Sequence, residues 1–552
     1  MPTLTWTGKE DALRAASLVP FRLLEPHTAA KGGIVGDPKA AQDNLLIQGD
    51  NLEALKALLP YYAGRVKCIY IDPPYNTGSA FEHYDDNLEH STWLSMMYPR
   101  LELLREFMTD DASLWVNIDD QECQYLKVIL DELLGRGNFI ADIFWQKNPT
   151  RENRTDFSSV HDHVLLYAKD REQWKQVRHM LPASESQLER FTNPDNDPRG
   201  VWASLPAHAK AEKGRRKEQF YTITTPSGRT IDPPPGRCWL YTQPRFEEMR
   251  VDGRIWFGQD GGNAPRVKKF LSEVQAGLVP STLWLYQEVG SNGQAKLEIT
   301  KLFPDLIPFS TPKPERLLHR IIHIATNPGD IVLDSFLGSG TTAAVAHKMG
   351  RRWIGVEMGD HAVTHCLPRL QKVIDGEQGG ISEVVSWKGG GGFRFVKLGE
   401  TLFDAFGRLN PKVKFIDLAA FVWWRETKAP AIGGSIKPAS PFLGIHEGRG
   451  LYLLYNGILG DKRPKGGNVL TPAVLASLPK HDGPRIVYAE ATTYSPSSLA
   501  RINISFKQIP YDLGSMPLLA EGALEYAAGL MPEAPQTLAT RAASAGEEGD
   551  HV

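Results

Sequence analysis

Cysteine is scarce in this chain. Only Cys68, Cys123, Cys238 and Cys366 occur among 552 residues, and no two are spaced as CxxC. That excludes a disulfide framework and the usual zinc-site spacings, and it fits a reducing compartment. Long apolar runs are missing too: no uninterrupted stretch is long enough to cross a bilayer. The N-terminal segment carries Lys9 and Glu10 without an apolar h-region, so no signal peptide is visible. A soluble cytoplasmic protein without membrane partners is the expectation. Net charge is also lacking, at only -3, so composition alone does not point to nucleic acid and any DNA-binding charge must be local. No pattern suggests a metal site.

What is present is length and an ordinary globular balance, with 41% hydrophobic and 23% charged residues. So long a chain calls for several domains. Residues 1–44 read as an irregular lead-in. From Leu45 strands and helices alternate: strands at Leu45–Gln48, Val66–Ile71, Ser113–Ile118, Phe139–Trp145 and His163–Ala168, helices at Asn51–Leu59, His90–Met108 and Gln121–Leu134. Such alternation predicts an α/β domain with a mainly parallel sheet, its first half at 45–170. Over 171–300 the alternation dissolves into a segment rich in Pro, Gly, Trp and basic residues, with 19 Lys+Arg against 15 Asp+Glu. Basic clusters stand at Lys213–Lys217 and Arg266–Lys269. A solvated surface explains either cluster taken alone.

The α/β pattern resumes over 301–388, with a helix at Glu315–Ala325, a strand at Ile331–Asp334, a helix at Thr341–Met349 and a strand at Arg352–Glu357. The glycine run Gly389–Gly392 marks a boundary, and a C-terminal α+β domain is expected at 393–528. The tail 529–552, rich in Ala, Glu, Gly and Pro, reads as disordered.

Two blocks carry chemistry. Asp72-Pro73-Pro74-Tyr75 follows directly on the apolar strand Val66–Ile71, and strand ends in open α/β sheets are where ligands bind. An exocyclic amine is a poor nucleophile because its lone pair is delocalised into the ring. A carboxylate that accepts its N–H makes the nitrogen more tetrahedral. The prolines fix φ and leave a backbone carbonyl for the second N–H, and an aromatic ring can stack on an extruded base. A Pro-rich turn closing a strand is the plainer alternative.

The second block, Asp334-Ser335-Phe336-Leu337-Gly338-Ser339-Gly340-Thr341-Thr342, follows a strand and opens a helix, as a glycine-rich cofactor loop must. No GxxxxGK[ST] pattern is present, so it is not a P-loop. Glu357 ends the next strand, where a carboxylate can grip ribose hydroxyls. A tight turn beside a surface Glu is the alternative. Asp50 could accept from an adenine amine or simply cap the helix that follows it. Lys313, in Thr311-Pro312-Lys313-Pro314-Glu315, starts a helix or closes over the cofactor. Asp232-Pro233-Pro234-Pro235 repeats the first motif superficially, but follows no buried strand and reads as a loop.

Taken together, Gln48-Gly49-Asp50-Asn51, Asp72-Pro73-Pro74-Tyr75-Asn76-Thr77-Gly78 and Phe336-Leu337-Gly338-Ser339-Gly340 resemble the β class of DNA amino-methyltransferases, in which the catalytic block precedes the cofactor block. The wording around the motifs, with Phe506-Lys507-Gln508-Ile509-Pro510-Tyr511, is similar to modification subunits of type III restriction–modification systems. The resemblance implies a Rossmann-like sheet in permuted order and an inserted target-recognition domain. It also implies S-adenosylmethionine as cofactor, double-stranded DNA as substrate, and commonly a homodimer.

Carried over, Asp72, Pro73, Pro74 and Tyr75 would be catalytic. Asp50, Lys313, Asp334, Phe336, Gly338, Gly340, Thr341 and Glu357 would hold the cofactor, and Trp202, Arg215, Arg216 and Arg266 would lie near DNA. Asp at the first motif position favours adenine N6 over cytosine N4. A DNA-reading scaffold serving a nuclease partner is the rival from another class. With neither a P-loop nor a nuclease carboxylate cluster in the sequence, cleavage would fall to a helicase–nuclease restriction subunit.

Overall fold

A computed structural model describes residues 3–76, 89–152, 156–182, 188–211, 216–273, 277–304, 309–404, 406–431, 436–437, 440–455 and 467–513. The chain divides into two compact units, Met1–Arg178 with Thr282–Val552, and His179–Ser281. Thr77, Gly78, Lys213, Arg215 and the tail 529–552 lie outside the described residues.

The first unit is built on one large sheet. Its strands are β1 (Arg22–Pro26), β2 (Ile34–Gly36), β3 (Leu45–Gln48), β4 (Val66–Ile71), β5 (Met108–Ile118), β6 (Phe139–Gln146), β7 (His161–Ala168), β8 (Leu283–Trp284), β9 (Ile331–Asp334), β10 (Arg352–Glu357) and β11 (Gly392–Thr401). Across the sheet the order is β1-β11-β3-β10-β9-β4-β5-β7-β6-β8, with β2 paired to β11. From β11 to β5 the neighbours are parallel. Strands β3, β4 and β9 bury almost every side chain because helices cover both faces, hence their unbroken apolar runs.

The long helix His90–Phe107 carries the chain from β4 to β5, while the helix Thr341–Lys348 leads from β9 to β10. The chain therefore leaves the neighbours β4 and β9 in opposite directions. Their carboxyl ends flank a topological switch point, the place in an open α/β sheet where a crevice forms.

Several expectations need correction. The lead-in is not irregular: Lys9–Leu18 is a helix, and β1 and β2 pair antiparallel with β11. The same pairing draws Gly392–Thr401 into the main sheet, parallel to β3, instead of into a separate C-terminal region. On the far side β7 runs antiparallel to both β5 and β6. The inserted unit is also narrower than 171–300. Arg171–Val177 is a helix of the first unit, capped by Asp170 with Trp174 buried, and Leu283–Trp284 adds to the edge of β6.

Beyond β11, the helix Phe415–Thr427 packs against a four-stranded sheet. One antiparallel hairpin, Phe442–His446 with Arg449–Leu453, is extended by parallel strands Arg485–Ala489 and Ile504–Gln508. In the smaller unit Asp232–Pro234 is a loop, as read from the sequence. Its strands Trp202–Pro206, Ile255–Trp256 and Arg266–Phe270 form a three-stranded antiparallel sheet.

Candidate active site

Asp72 is the first residue beyond β4, and the glycine-rich turn begins one residue beyond β9. Since Leu333 pairs with Ile69 and Val332 with Cys68, the two loops leave the sheet side by side. Both oxygens of Asp72 are engaged. Tyr75 donates its hydroxyl to Oδ1 at 2.9 Å, and the Lys313 ammonium is ion-paired with Oδ2. Burial pushes the Asp72 carboxyl upward, while Lys313 and the Tyr75 hydroxyl pull it back. Lys313 also sits 5.3 Å from the centroid of the Tyr75 ring. Lys313, expected at the cofactor, has its ammonium against the carboxylate of the first motif.

Four supporting residues carry no motif in the sequence: Trp93, Asp162, Lys147 and Asn117. Trp93, on the helix after the motif, donates Nε1 to the Pro74 carbonyl at 2.8 Å and so fixes the proline pair. Asp162 on β7, only 1% exposed, accepts from the Tyr75 hydroxyl at 3.3 Å and from Lys147 at 2.6 Å. Asn117, at the end of β5, bonds the same hydroxyl. Tyr75 is therefore held from behind by two strands, its hydroxyl proton shared among acidic neighbours, and burial beside Asp162 and Asp72 pushes the phenol well above its ordinary value. The available signal was weak: Asp162 stands between two histidines on a strand, which resembles a solvated face.

The glycine turn is held just as firmly. Gly338 has φ 56 and Gly340 φ 81, the left-handed region that favours glycine. A side chain at Gly338 would also press on the Phe309 ring, 3.2 Å from its nearest carbon. Glu357 accepts the Gly338 N–H at 2.6 Å, tying the end of β10 to the turn. Asp334 takes Phe336 N at 2.9 Å and the Thr342 hydroxyl at 2.6 Å, and burial raises its carboxyl to about 7. Thr341 accepts from Arg369 at 2.8 Å. Beneath lies a buried cluster in which Arg369 and Lys348 converge on Glu315 at 3.1 and 2.8 Å. Asp334 and Thr341 thus brace the turn from inside, whereas Phe336, Gly338, Gly340 and Glu357 line its bend.

Asp50 follows the plainer of its two readings. Its Oδ1 caps the helix Asn51–Tyr62 through Leu52 N (2.8 Å) and Glu53 N (3.2 Å), and its Oδ2 pairs with Arg100 at 2.9 Å. The neighbouring Asn51 reaches the Ser335 carbonyl at 2.9 Å, linking this cap to the glycine turn.

In the smaller unit, Trp202 is 3% exposed and packs on Trp256 and under the Lys268 ammonium, donating Nε1 to Asp195. Its ring is core, which corrects its assignment to DNA. The reason is ordinary packing: a large aromatic on a central face buries more area than it could at a wet surface. Lys268, in the basic cluster Arg266–Lys269, is likewise buried between Asp195 and Asp197. Arg266 and Arg216 are exposed, Arg266 leaning on the Ser204 carbonyl at 2.8 Å.

The model of the DNA methylase family matches residues 66–367, from the start of β4 to beyond the glycine turn. The chain is 34% identical over 332 residues to the type III restriction-modification enzyme StyLTI Mod subunit of Salmonella typhimurium, covering 54% of this chain and 49% of that protein. It is 29% identical over 417 residues to the EcoP15I Mod subunit of Escherichia coli, covering 63% and 62%. It is 30% identical over 334 residues to the type II methyltransferase M.EcaI of Enterobacter cloacae, covering 59% and 69%. The chain thus spans less than two thirds of the length of these type III relatives. The matched stretch holds over half of the chain and contains both motif loops at the switch point, and the chain belongs to the DNA methylase family.

Proposed function

We propose that this chain transfers a methyl group from S-adenosylmethionine to adenine N6 in double-stranded DNA, at a specific site, as the modification subunit of a type III restriction–modification enzyme. The observation that carries the reading is the pairing of β4 with β9, which sets a half-buried carboxylate and a glycine turn at adjoining strand ends. The turn suits an adenosylated ligand. Two left-handed glycines put no side chain over the bend, with Gly338 half-buried and Gly340 buried, Glu357 accepts the Gly338 N–H, and the Ser335 hydroxyl is buried without a hydrogen-bond partner. When bound, S-adenosylmethionine supplies a methyl on a sulfonium, already activated for direct transfer.

The chain's own residues then have defined work. Asp72 accepts an N–H of the extruded amine, localising the nitrogen lone pair. One of its present partners must yield, and the neutral Tyr75 hydroxyl leaves more easily than the Lys313 ammonium. Lys313 keeps Asp72 ionised. Asp162, Asn117 and Lys147 hold Tyr75 so that its ring can face a base, and Trp93 keeps the Pro73–Pro74 backbone aimed. The proton lost by the methylated amine passes to Asp72 and on to solvent.

The mixture of sequence-independent and sequence-reading contacts that DNA requires falls to the unit 179–281, with Arg216 and Arg266 among its exposed cations. Similarity to the two Mod subunits supports the type III assignment and a cleavage function residing in a partner chain. The test is to digest DNA from cells expressing the chain and measure modified nucleosides by mass spectrometry, with Asp72→Ala as control. N6-methyladenine present with the intact chain and absent with the variant supports the proposal. N4-methylcytosine, or no modification, refutes it.

A further inference from the structure

On the face of β7 opposite Asp162, three ligand-bearing side chains converge. Strand residues alternate between faces, so His161 and His163 point away from the Tyr75 network that Asp162 joins. Asp120, in the turn after β5, reaches both. Its Oδ1 is 2.9 Å from His163 Nε2 and 3.7 Å from His161 Nε2. The three candidate ligand atoms all lie within 4.8 Å of one another. A tetrahedral ion with bonds of about 2.0–2.2 Å sets its ligand atoms roughly 3.3–3.6 Å apart. The two Asp120 separations bracket that range and the third lies within 4.8 Å, so side-chain rotation of about an ångström or less brings the three atoms onto one ion.

The surroundings complete the arrangement. Asp142 on β6 accepts from His163 Nδ1 at 2.9 Å. This is the carboxylate–histidine pair that orients a metal-bound imidazole and leaves Nε2 as ligand. His163 is buried, while the His161 and Asp120 side chains are 32% and 58% exposed, giving an ion both a fixed anchor and a path from solvent. The Phe144 ring stands against both imidazoles, with centroids 5.2 and 5.0 Å away.

We propose that Asp120, His161 and His163 bind one divalent transition-metal ion, zinc or a similar imidazole-seeking cation, on the sheet face behind the catalytic motif. Two imidazoles with one carboxylate select such ions over magnesium or calcium, which prefer all-oxygen sites. The ion takes the place of the proton shared between His163 Nε2 and Asp120, and that proton leaves to solvent. Binding cross-links the β5 turn to β7, the strand whose Asp162 supports Tyr75.

The full chain, carrying no polyhistidine tag and stripped with chelator, is titrated with Co²⁺ as an optical probe, and then with Zn²⁺ in competition. The expected result is one cobalt ion per chain with the intense visible bands of a low-coordinate site, erased by zinc. His161→Gln and Asp120→Asn, both at partly exposed positions, weaken binding at least roughly tenfold, and Asp142→Asn weakens it roughly tenfold to a hundredfold. A His208→Gln control leaves it unchanged. Circular dichroism of each variant establishes that the fold persists, and a rise in Tm with zinc in the intact chain alone gives a second readout. Absence of a cobalt spectrum, or a spectrum that survives both His161→Gln and Asp120→Asn, overturns the proposal.

Discussion

Replacing Lys313 by Met removes the ammonium beside Asp72 while keeping side-chain length and most of the apolar contact with Tyr75. In the intact chain burial pushes the Asp72 carboxyl up, and Lys313 is the chief opposing influence. A cation at hydrogen-bond distance lowers a carboxyl pKa by roughly 1–3 units. Asp72 must be ionised to accept the amine N–H, so loss of the cation means that a higher pH is needed to reach the active form. The acid limb of kcat/KM for methyl incorporation into DNA moves upward by about 1–3 pH units in Lys313→Met. Lys313→Arg, which retains the charge, moves it much less. The assay is tritiated methyl transfer to duplex DNA across a pH series, with cofactor affinity measured in parallel. An acid limb that stays in place while activity falls uniformly refutes the electrostatic role and leaves Lys313 as a cofactor contact.

Other consequences are measurable. Glu357→Gln weakens a charge-assisted bond to Gly338 N, and calorimetry should show S-adenosylmethionine affinity down roughly tenfold or more. Lys348→Met leaves buried Glu315 with less compensation and costs about 3–5 kcal/mol in chemical denaturation. Although burial pushes Glu315 up, Arg369 and Lys348 together hold its carboxyl below the usual range. Its folded pKa is therefore depressed, so its stabilising contribution is present above the unfolded pKa and lost as pH falls; Lys348→Met flattens that acid-side decline. Arg266→Glu and Arg216→Glu should each weaken DNA binding and lower its salt slope by about 1 for every phosphate no longer neutralised. Trp202→Phe should instead change the melting temperature of the chain more than its DNA affinity.

The parts of the fold legible in the sequence share a physical cause. Strands β3, β4, β9 and β10 are apolar runs bounded by turn residues, and their ends are read to the residue. The two motif loops follow from those ends. The lead-in is different. Arg22–Pro26 and Ile34–Gly36 are short and half-buried, and they become strands only by pairing with Gly392–Thr401, far away in sequence. No local pattern records such a partner. Strand direction was hidden for the same reason: His161–Ala168 is buried along nearly its whole length like the parallel strands of the sheet, and its reversal is a matter of topology. At the site, residue types disclosed Asp72, Tyr75 and the glycines, whose chemistry is specific. Asp162, Asn117 and Trp93 act through position, and position comes from the tertiary fold. Trp202 and Lys268 show the converse, a basic aromatic segment whose most conspicuous members are interior.

Single-turnover methyl transfer with Asp72→Asn tests the central claim most directly. Asparagine preserves shape but cannot draw the amine proton as a carboxylate does. The account predicts a rate lower by roughly a hundredfold to ten-thousandfold, with S-adenosylmethionine affinity and thermal stability little changed. An unaltered rate in this variant would contradict it.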